Sequence, residues 1–243
     1  MRSIWLTAIV FFITAGALFA DAAGDFAAAN REYGAGHFQA ATEGYEALAR
    51  AGQSNASLFY NLGNAWYRRG DPARAILNYE RALALEPQHA EATANLRLVR
   101  DHARALELTT PRLERFLVAM RSDSYAWMAA IGFWVGVIAV AAFGFRRSTG
   151  KAVAMIVALL FCGCALYALY TVENGTRGDS LAIVTGKNIN ARLATADNAN
   201  SVLALPAGSE IKILSTRGDW SYAALPNNLR GWIPTKSAES VRM

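Results

Sequence analysis

The 243-residue sequence predicts a multidomain protein with an all-α helical repeat stack, a two-helix transmembrane hairpin and a small all-β barrel. Residues spaced by 34 positions recur in the N-terminal half, three long runs are apolar and uncharged, and short alternating runs fill the last third. Hydrophobic residues make up 53% of the chain and charged residues only 18%. This composition excludes a purely soluble single-domain enzyme, a disordered protein and a disulfide-rich scaffold.

Residues 1–22 predict a secretory signal peptide. Arg2 precedes the apolar run 4–20, and small residues follow that run. The cleavage pattern A-x-A occurs at residues 15–17 and again at residues 20–22, so two cleavage sites remain open. The alternative is an uncleaved anchor helix, and either form exports the segment that follows.

Residues 23–108 predict two helical repeats and a capping helix. Four pairs of matching residues are each separated by 34 positions: Ala29 and Gly63, Gly36 and Gly70, Ala41 and Ala75, Tyr45 and Tyr79. The second copy resembles the tetratricopeptide repeat through Leu62, Gly63, Trp66, Gly70, Asp71, Ala75, Tyr79, Ala82 and Pro87. The first copy is more degenerate, and the segment from Ala90 reads as a cap with one polar face.

The tetratricopeptide resemblance implies a concave protein-binding groove lined by the first helix of each repeat. Here that groove contains Phe26, Asn30, Tyr33, Tyr60, Asn61, Asn64, Tyr67 and Arg68. Asn30 and Asn61 match asparagines of relatives that clamp a terminal carboxylate, but Phe26 and Glu91 stand where those relatives have lysines. We therefore expect a groove for an extended or helical segment. The alternative is that its aromatic residues only cover a short stack.

Residues 109–123 predict a short interfacial helix that begins after Pro111. Its apolar residues recur on one face and its charged residues on the other. The apolar set is Leu113, Phe116, Leu117 and Met120, and the charged set is Arg112, Glu114, Arg115 and Arg121.

Residues 124–145 and 152–172 predict two transmembrane helices. Both are uncharged and long enough to cross a hydrocarbon core of ~30 Å at ~1.5 Å per residue. Residues 146–151 allow only a turn between them, so the two helices form an antiparallel hairpin. Arg146 and Arg147 place this turn in the cytoplasm, in agreement with an exported N-terminal segment.

Small residues predict that the two transmembrane helices approach each other closely. Gly132 and Gly136 are four positions apart on one helix, and Ala154, Ala158 and Cys162 recur at the same spacing on the other. Packing within the hairpin is favoured over homodimerisation because the partner helix is already tethered nearby. Cys162 and Cys164 are the only cysteines, and their spacing predicts inert thiols.

Residues 173–243 predict a small all-β domain. Its predicted strands are Leu181–Val184, Asn188–Ala191, Val202–Leu205, Ile211–Leu214, Trp220–Ala224 and Gly231–Pro234. The stretch resembles the bacterial SH3-like (SH3b) domain through residues 189–192, Gly208, Gly218-Asp219-Trp220 and residues 231–234. The resemblance implies an SH3-like barrel that binds peptides or the cell wall, and a barrel that docks a partner or stabilises the chain is the alternative.

The order of these segments resembles the E-type membrane proteins of the Bacteroides-aerotolerance (Bat) operon, the BatE family. Residues 61–65 and Gly231-Trp232 also carry this resemblance. It implies a role beside von Willebrand A-domain proteins and a MoxR-type ATPase in envelope stress tolerance. We expect a bacterial inner-membrane scaffold whose two periplasmic domains recruit envelope proteins. The alternative is an anchor that binds peptidoglycan through its SH3b domain.

The sequence predicts neither catalysis nor nucleic-acid binding. His37, His89 and His102 have no Ser, Cys or carboxylate partner at a recognised spacing, and no phosphate-binding loop occurs. We therefore expect no catalytic residue, no cofactor and no metal. The net charge of +5 comes largely from arginines beside the apolar runs, so no nucleic-acid partner is expected.

Overall fold

The computed structural model describes residues 23–118, 122–143, 149–176 and 178–242. The predicted signal peptide, residues 1–22, lies outside the described residues, as do residues 146–148 of the predicted cytoplasmic turn. The chain divides into two compact units, and the main boundary falls between Ala105 and Leu106. We call the first of them the repeat unit.

The described residues of the repeat unit form five helices. They are α1 (residues 23–34), α2 (Phe38–Arg50), α3 (Ala56–Arg68), α4 (Pro72–Leu85) and α5 (Ala90–Ala103). Helices α2 to α5 pack in sequence, each against the next. The predicted helical repeat stack is therefore confirmed.

Turn residues and caps explain where these helices begin and end. Gly36 and Gly70 have φ of +83° and +80°, a left-handed conformation that glycine adopts without a Cβ penalty. The Asn55 side chain accepts a hydrogen bond from the Leu58 amide at 2.8 Å, and the Asp71 side chain accepts one from the Arg74 amide at 3.0 Å. These bonds satisfy amide groups that the first turn of a helix leaves unpaired.

Small residues let the helices of one repeat approach each other. A Cβ built on Gly63 would lie 2.7 Å from the Tyr79 ring and 3.3 Å from the Ala75 carbonyl oxygen. Ala41 and Ala75, 34 positions apart, are both fully buried. The core is close-packed around them, so any larger residue at Gly63 would force the Tyr79 ring to move.

In the part of the second unit that the structure describes, the α-helices are α6 (Arg112–Val118), α7 (Ser122–Phe143) and α8 (Thr149–Asn174). α7 and α8 are in contact and run antiparallel, because a Cβ at Gly132 would meet the Phe161 ring and one at Gly136 would meet Ala158. Within α8, the stretch Met155–Asn174 is long and apolar enough to cross a membrane, with a mean hydropathy of 2.2. The described part of α7 has only a shorter apolar stretch, Ser124–Ile138, so the two-helix transmembrane hairpin stays a prediction.

Helix α6 differs from the predicted amphipathic pattern. Glu114, assigned to its polar face, is buried, and Leu113, assigned to its apolar face, is exposed. The Glu114 carboxylate accepts hydrogen bonds from the Thr176 amide and, at 2.8 Å, from the Thr176 hydroxyl. Glu114 departs from the predicted polar face because its partner, Thr176, follows the end of α8. The exposed Leu113 leaves an apolar side chain on the surface, as the predicted interfacial helix requires, and the interfacial location stays a prediction. Met120 and Arg121 lie outside the described residues.

The C-terminal region forms one antiparallel sheet, which we call the β-domain. Its strands are β1 (Leu181–Val184), β2 (Ile189–Arg192), β3 (Ser201–Leu205), β4 (Glu210–Arg217), β5 (Trp220–Ala224), β6 (Arg230–Pro234) and β7 (Ala238–Ser240). The strand order is β3-β2-β6-β5-β4-β1-β7. Among the described residues no ladder joins β3 to β7, so the sheet is open. The all-β prediction is confirmed, and the closed SH3-like barrel stays a prediction.

Alternating burial builds the core of the β-domain. In β5 and β6 the buried residues Ala223 and Ile233 alternate with half-buried neighbours, as expected for a sheet with one face packed. The core cluster consists of Ala182, Val184, Ala191, Leu205, Ile211, Ala223, Leu225 and Ile233. This arrangement leaves the opposite face of β5 and β6 open to solvent.

Candidate protein-binding face of the repeat unit

The predicted groove residues lie on the first helix of each repeat. Phe26, Asn30 and Tyr33 are on α1, and the other five, Tyr60, Asn61, Asn64, Tyr67 and Arg68, are on α3. Hydrogen bonds between asparagine side chains connect α1 to α3 and α3 to α5. These three helices therefore lie side by side and present one continuous surface.

Asn30 accepts two hydrogen bonds through the same atom. The Tyr45 hydroxyl donates to Asn30 Oδ1 at 2.7 Å, and Asn61 Nδ2 donates to it at 3.0 Å. Asn30 thereby links the second helix of its own repeat to the first helix of the next one. Both lone pairs of the carbonyl oxygen are used, which fixes the orientation of the Asn30 carboxamide.

Asn64 repeats this arrangement 34 residues later. The Tyr79 hydroxyl donates to Asn64 Oδ1 at 2.7 Å, and Asn95 Nδ2 donates to it at 3.0 Å. We call Asn30, Asn61, Asn64 and Asn95 the asparagine ladder. The ladder joins all three first helices through matched bonds.

The asparagine ladder leaves one end of each carboxamide without a partner among the described residues. Asn30 and Asn64 keep an Nδ2 donor, and Asn61 and Asn95 keep an Oδ1 acceptor. Donors and acceptors thus stand together on one face, which is the pattern that the main chain of an extended peptide satisfies.

Half-buried aromatic rings flank the ladder. The Tyr60 ring lies 6.1 Å from the Tyr79 ring and 5.0 Å from the His89 ring, centroid to centroid. The Tyr67 ring meets the His102 ring edge-on at 6.4 Å. These contacts hold the two tyrosine rings in place while leaving part of each exposed.

The remaining groove residues pack on rings of the second helix α2. Phe26 lies 5.9 Å from the Tyr45 ring, and Tyr33 meets the Phe38 ring edge-on at 5.4 Å. The Arg68 guanidinium carbon lies 4.4 Å from the centroid of the Phe38 ring. This cation–π contact orders the exposed Arg68 side chain, which has no carboxylate partner among the described residues.

Burial keeps Tyr45 and Tyr79, whose hydroxyls donate to the asparagine ladder, protonated. Desolvation, with a smaller contribution from the nearby Tyr33, raises the pKa of Tyr45 to about 12. Desolvation also raises the pKa of Tyr79 well above its usual value, and the neighbouring Asn95 side chain lowers that pKa by a smaller amount. Both hydroxyls therefore remain hydrogen-bond donors throughout the physiological pH range.

Phe26 and Glu91, which stand where carboxylate-clamping relatives have lysines, have no positively charged side chain. Phe26 packs against Tyr45, as described, and Glu91 is an exposed carboxylate 3.1 Å from His89 Nδ1. Asn30 and Asn61 bond to each other. Neither Phe26 nor Glu91 therefore offers a positive charge to a terminal carboxylate.

Each of the three histidines contacts a neighbouring side chain or main-chain amide of the repeat unit. His37 Nδ1 lies 2.8 Å from a Glu32 carboxylate oxygen, and His89 Nδ1 accepts from the Ala92 amide at the start of α5. The His102 ring meets the Tyr67 ring edge-on. Within the described ranges, no group of three or more His, Cys, Asp or Glu residues could hold a metal ion.

The β-domain carries a second surface of interest on its open face. Tyr222 pairs with Trp232 across β5 and β6, with ring centroids 5.0 Å apart, and Trp220 pairs with Pro234. Arg230 is exposed at the end of the same row, opposite Ala224. We call Trp220, Tyr222, Arg230, Trp232 and Pro234 the aromatic row.

Sequence reasoning missed Asn95, His89 and His102 as parts of the first surface. A signal for Asn95 was present, because it follows Asn61 by the same 34 positions that separate Asn30 from Asn64. The two histidines had no such signal. They reach Tyr60 and Tyr67 only because α5 packs beside α3.

Comparison with known proteins supports the repeat assignment for part of the chain. A tetratricopeptide repeat family model matches residues 56–89. This stretch contains α3, the Gly70-Asp71 turn and α4, and thus one complete helical repeat. A search of curated proteins found no match to the chain. Repeats of this kind mediate contacts between proteins, which makes the surface of α1, α3 and α5 the candidate binding face.

Proposed function

We propose that this protein is a non-enzymatic, membrane-anchored adaptor whose repeat unit binds an extended segment of a partner protein. One observation carries the proposal: the asparagine ladder holds four carboxamides in fixed orientations and leaves one polar end of each free. Preoriented groups lose little side-chain entropy when a ligand binds. The face is therefore suited to the main chain of a peptide rather than to one particular side chain.

The rings beside the ladder supply contact area for the partner's side chains. Tyr33, Tyr60 and Tyr67 are half-buried and held by neighbouring rings. Tyrosine offers a large contact surface with few rotatable bonds, which suits it to binding faces. Arg68 adds an ordered positive charge at one end. We expect the partner segment to carry apolar side chains and an acidic residue.

The surface of α7 and α8 supports a membrane location. Large apolar side chains are exposed around both helices, among them Trp127 at 71%, Trp134 at 60% and Leu159 at 68%. An exposed apolar surface of this extent is costly in water and is satisfied by lipid. Trp127 and Tyr170 lie at the same end of the pair, where interfacial aromatic residues are expected. We propose that both helices span the membrane as a hairpin.

The resemblance to the BatE family supplies the expected setting. We propose that the hairpin lies in the bacterial inner membrane, that both soluble parts are periplasmic, and that the partners are envelope proteins. Von Willebrand A-domain proteins of a Bat-type system are the first candidates. The repeat match at residues 56–89 supports the interaction role but not these particular partners.

Site-specific photocross-linking in living cells tests the adaptor role. A photoreactive phenylalanine analogue at Tyr67 lies on the proposed face, and the same analogue at the exposed Ala47 of α2 serves as the control. We expect an envelope protein to be cross-linked from Tyr67 and not from Ala47. Changing Asn61→Ala and Asn95→Ala together should abolish that cross-link while Tyr45 and Tyr79 keep their bonds to Asn30 and Asn64. Equal cross-linking from both positions would contradict the proposal.

Peptidoglycan binding by the β-domain is a second candidate function, and the aromatic row favours it. The paired rings of Tyr222 and Trp232 can contact the faces of sugar rings, and Arg230 can pair with a carboxylate of the stem peptide. The purified protein in detergent should then sediment with peptidoglycan, and Tyr222→Ala should abolish sedimentation. Leu193→Ala, at a 66% exposed residue of the same domain, is the control. A wild-type protein that stays in the supernatant would remove this candidate.

A further inference from the structure

The segment that follows the repeat unit lies against the β-domain. The Leu106 amide donates a hydrogen bond to Ser209 Oγ at 3.1 Å, and the Glu210 amide donates one to the Leu106 carbonyl oxygen at 2.8 Å. The Leu108 amide donates to Glu210 Oε2 at 2.9 Å. Three bonds thus join residues that are about a hundred positions apart in the sequence.

The segment can lie beside the start of β4 because the neighbouring strand β5 is shorter than β4. β5 ends at Ala224, which pairs with Lys212 of β4. Glu210 and Ile211 begin β4 before that point, so β5 provides no partner for them, while β1 pairs with their other side. The Leu106 carbonyl occupies the resulting gap and satisfies the Glu210 amide, much as an added strand completes a sheet edge.

The side chains around this gap form a binding site for the main chain of the segment. Ser209 and Glu210 are 0% and 1% exposed, and each directs a polar atom at a main-chain amide of the segment. The Leu106 side chain packs against the core cluster of the β-domain. A buried carboxylate is costly unless hydrogen-bond donors satisfy it, and the Leu108 amide is one such donor.

We propose that Ser209 and Glu210 form a peptide-binding site of the β-domain, and that its ligand is the extended segment Leu106–Leu108 of the same chain. The site selects a segment with free amides at its first and third residues and an apolar first side chain. So small a ligand binds because it is tethered, which gives it a high effective concentration.

Docking in cis has a consequence for the whole second unit. Leu106–Leu108 precedes α6, and the β-domain follows α8. The site therefore fastens together the two chain segments that flank the helix pair, and Glu114 reinforces this through its bonds to Thr176. Leu106–Leu108, the residues with which the second unit begins after Ala105, are thus held at one place on the β-domain.

Hydrogen exchange of the full-length protein in detergent tests the inference. The variant Leu108→Pro removes the amide that donates to Glu210 and changes no residue of the β-domain. The matched control is Thr109→Pro, one residue further on. The Thr109 amide makes no hydrogen bond among the described residues. We expect the Leu106 amide to be protected in the wild type, and its protection to fall about tenfold in Leu108→Pro only. Protection of β1 and β6 should stay unchanged, which shows that the sheet remains folded.

Limited trypsin digestion provides a second readout at Arg104, the residue that ends α5. Cleavage after Arg104 should be slow in the wild type and in Thr109→Pro, and about tenfold faster in Leu108→Pro. An unprotected Leu106 amide in the wild type, or equal effects of the two proline variants, would overturn the inference. Cross-linking from Tyr67 does not depend on this site, so failure here is distinguishable from failure of the adaptor proposal.

Discussion

At the scale of single residues, one hydrogen-bond geometry occurs twice. Tyr45 with Asn30 and Tyr79 with Asn64 are both separated by 15 positions, and both bonds measure 2.7 Å. The same two oxygens also accept from Asn61 and Asn95. Each bond therefore stabilises the stack and orients the candidate binding face, so a mutation there should affect both properties.

Removing a ladder hydroxyl should destabilise the repeat unit. Tyr45→Phe and Tyr79→Phe should each lower the free energy of unfolding by about 1 kcal/mol, the net value of a part-buried hydrogen bond. Tyr67→Phe is the control, because the Tyr67 hydroxyl makes no hydrogen bond among the described residues. Hydrogen-exchange protection of α2 and α4 measures the change, and a loss as large in Tyr67→Phe would show that the ladder bonds contribute nothing.

The buried ion pair between Glu80 and Arg100 leads to a larger expected effect. The two side chains are 4% and 7% exposed, and α4 and α5 contribute one each. Arg100→Met removes the cation that pairs with the buried Glu80 carboxylate, which should cost about 3 kcal/mol. Arg97→Met, at an exposed residue of α5, should change stability by less than about 0.5 kcal/mol. Equal unfolding midpoints in denaturant for these two variants would contradict the prediction.

The raised tyrosine pKa values predict a loss of stability at alkaline pH. The neutral hydroxyl of Tyr45 is favoured in the folded state up to about pH 12, whereas the unfolded chain releases that proton near pH 10. Its stabilising contribution is therefore complete below pH 10 and is lost as the pH rises towards 12. Helix content should fall over this window, and the double variant Tyr45→Phe, Tyr79→Phe should show a smaller fall. An identical pH profile for both proteins would refute this assignment.

At the scale of secondary-structure elements, small residues determine which helices can meet. Gly63 permits contact between α3 and α4, and Gly132 and Gly136 permit contact between α7 and α8. Glycine at a helix–helix contact removes the side chain that would hold the two backbones apart. The same device therefore acts in the repeat unit and in the apolar helix pair.

A bulky residue at the contact between α7 and α8 should separate these helices. A Cβ at Gly132 would lie 2.8 Å from the Phe161 ring, whereas one at Gly163 would meet nothing within 4 Å. Gly132→Leu should therefore lower the thermal midpoint of the protein in detergent by several degrees, and Gly163→Leu should leave it unchanged. A shift of the same size in both variants would argue against packing of the pair at Gly132.

At the scale of the whole molecule, the chain combines two compact units with different roles. The repeat unit carries the candidate binding face, and the second unit carries the apolar helices, the docked segment Leu106–Leu108 and the β-domain. Because docking joins the chain before α7 to the chain after α8, it supports a topology in which both ends of the helix pair lie on one side of a membrane.

Reporter fusions test this topology in cells. A reporter that is active only in the periplasm, fused after Thr110, Thr149 or Met243, should be active at the first and third positions and inactive at Thr149. This result would make the candidate partners periplasmic. Activity at Thr149 alone would reverse the topology, and cytoplasmic partners would then replace the envelope proteins.

Most of the local structure could be predicted because it depends on residues close in sequence. The predicted strands Leu181–Val184 and Trp220–Ala224 agree with β1 and β5 at both ends. The start of α4 at Pro72 and the left-handed Gly70 before it follow from turn chemistry. β7 was missed, since three residues are too few to show an alternating pattern.

The sequence by itself determined the helical repeat, its period and the face shared by the candidate groove residues of α1 and α3, because spacing defines which residues lie on one side of a helix. Only the tertiary structure decided which asparagine oxygen accepts from Tyr45 and which from Tyr79, and that Glu114 is buried. It also decided that the Leu106 carbonyl oxygen accepts from the Glu210 amide at the start of β4. Each of these depends on atoms brought together from distant parts of the chain. Periodicity shows that a face will be covered, but only packing shows what covers it.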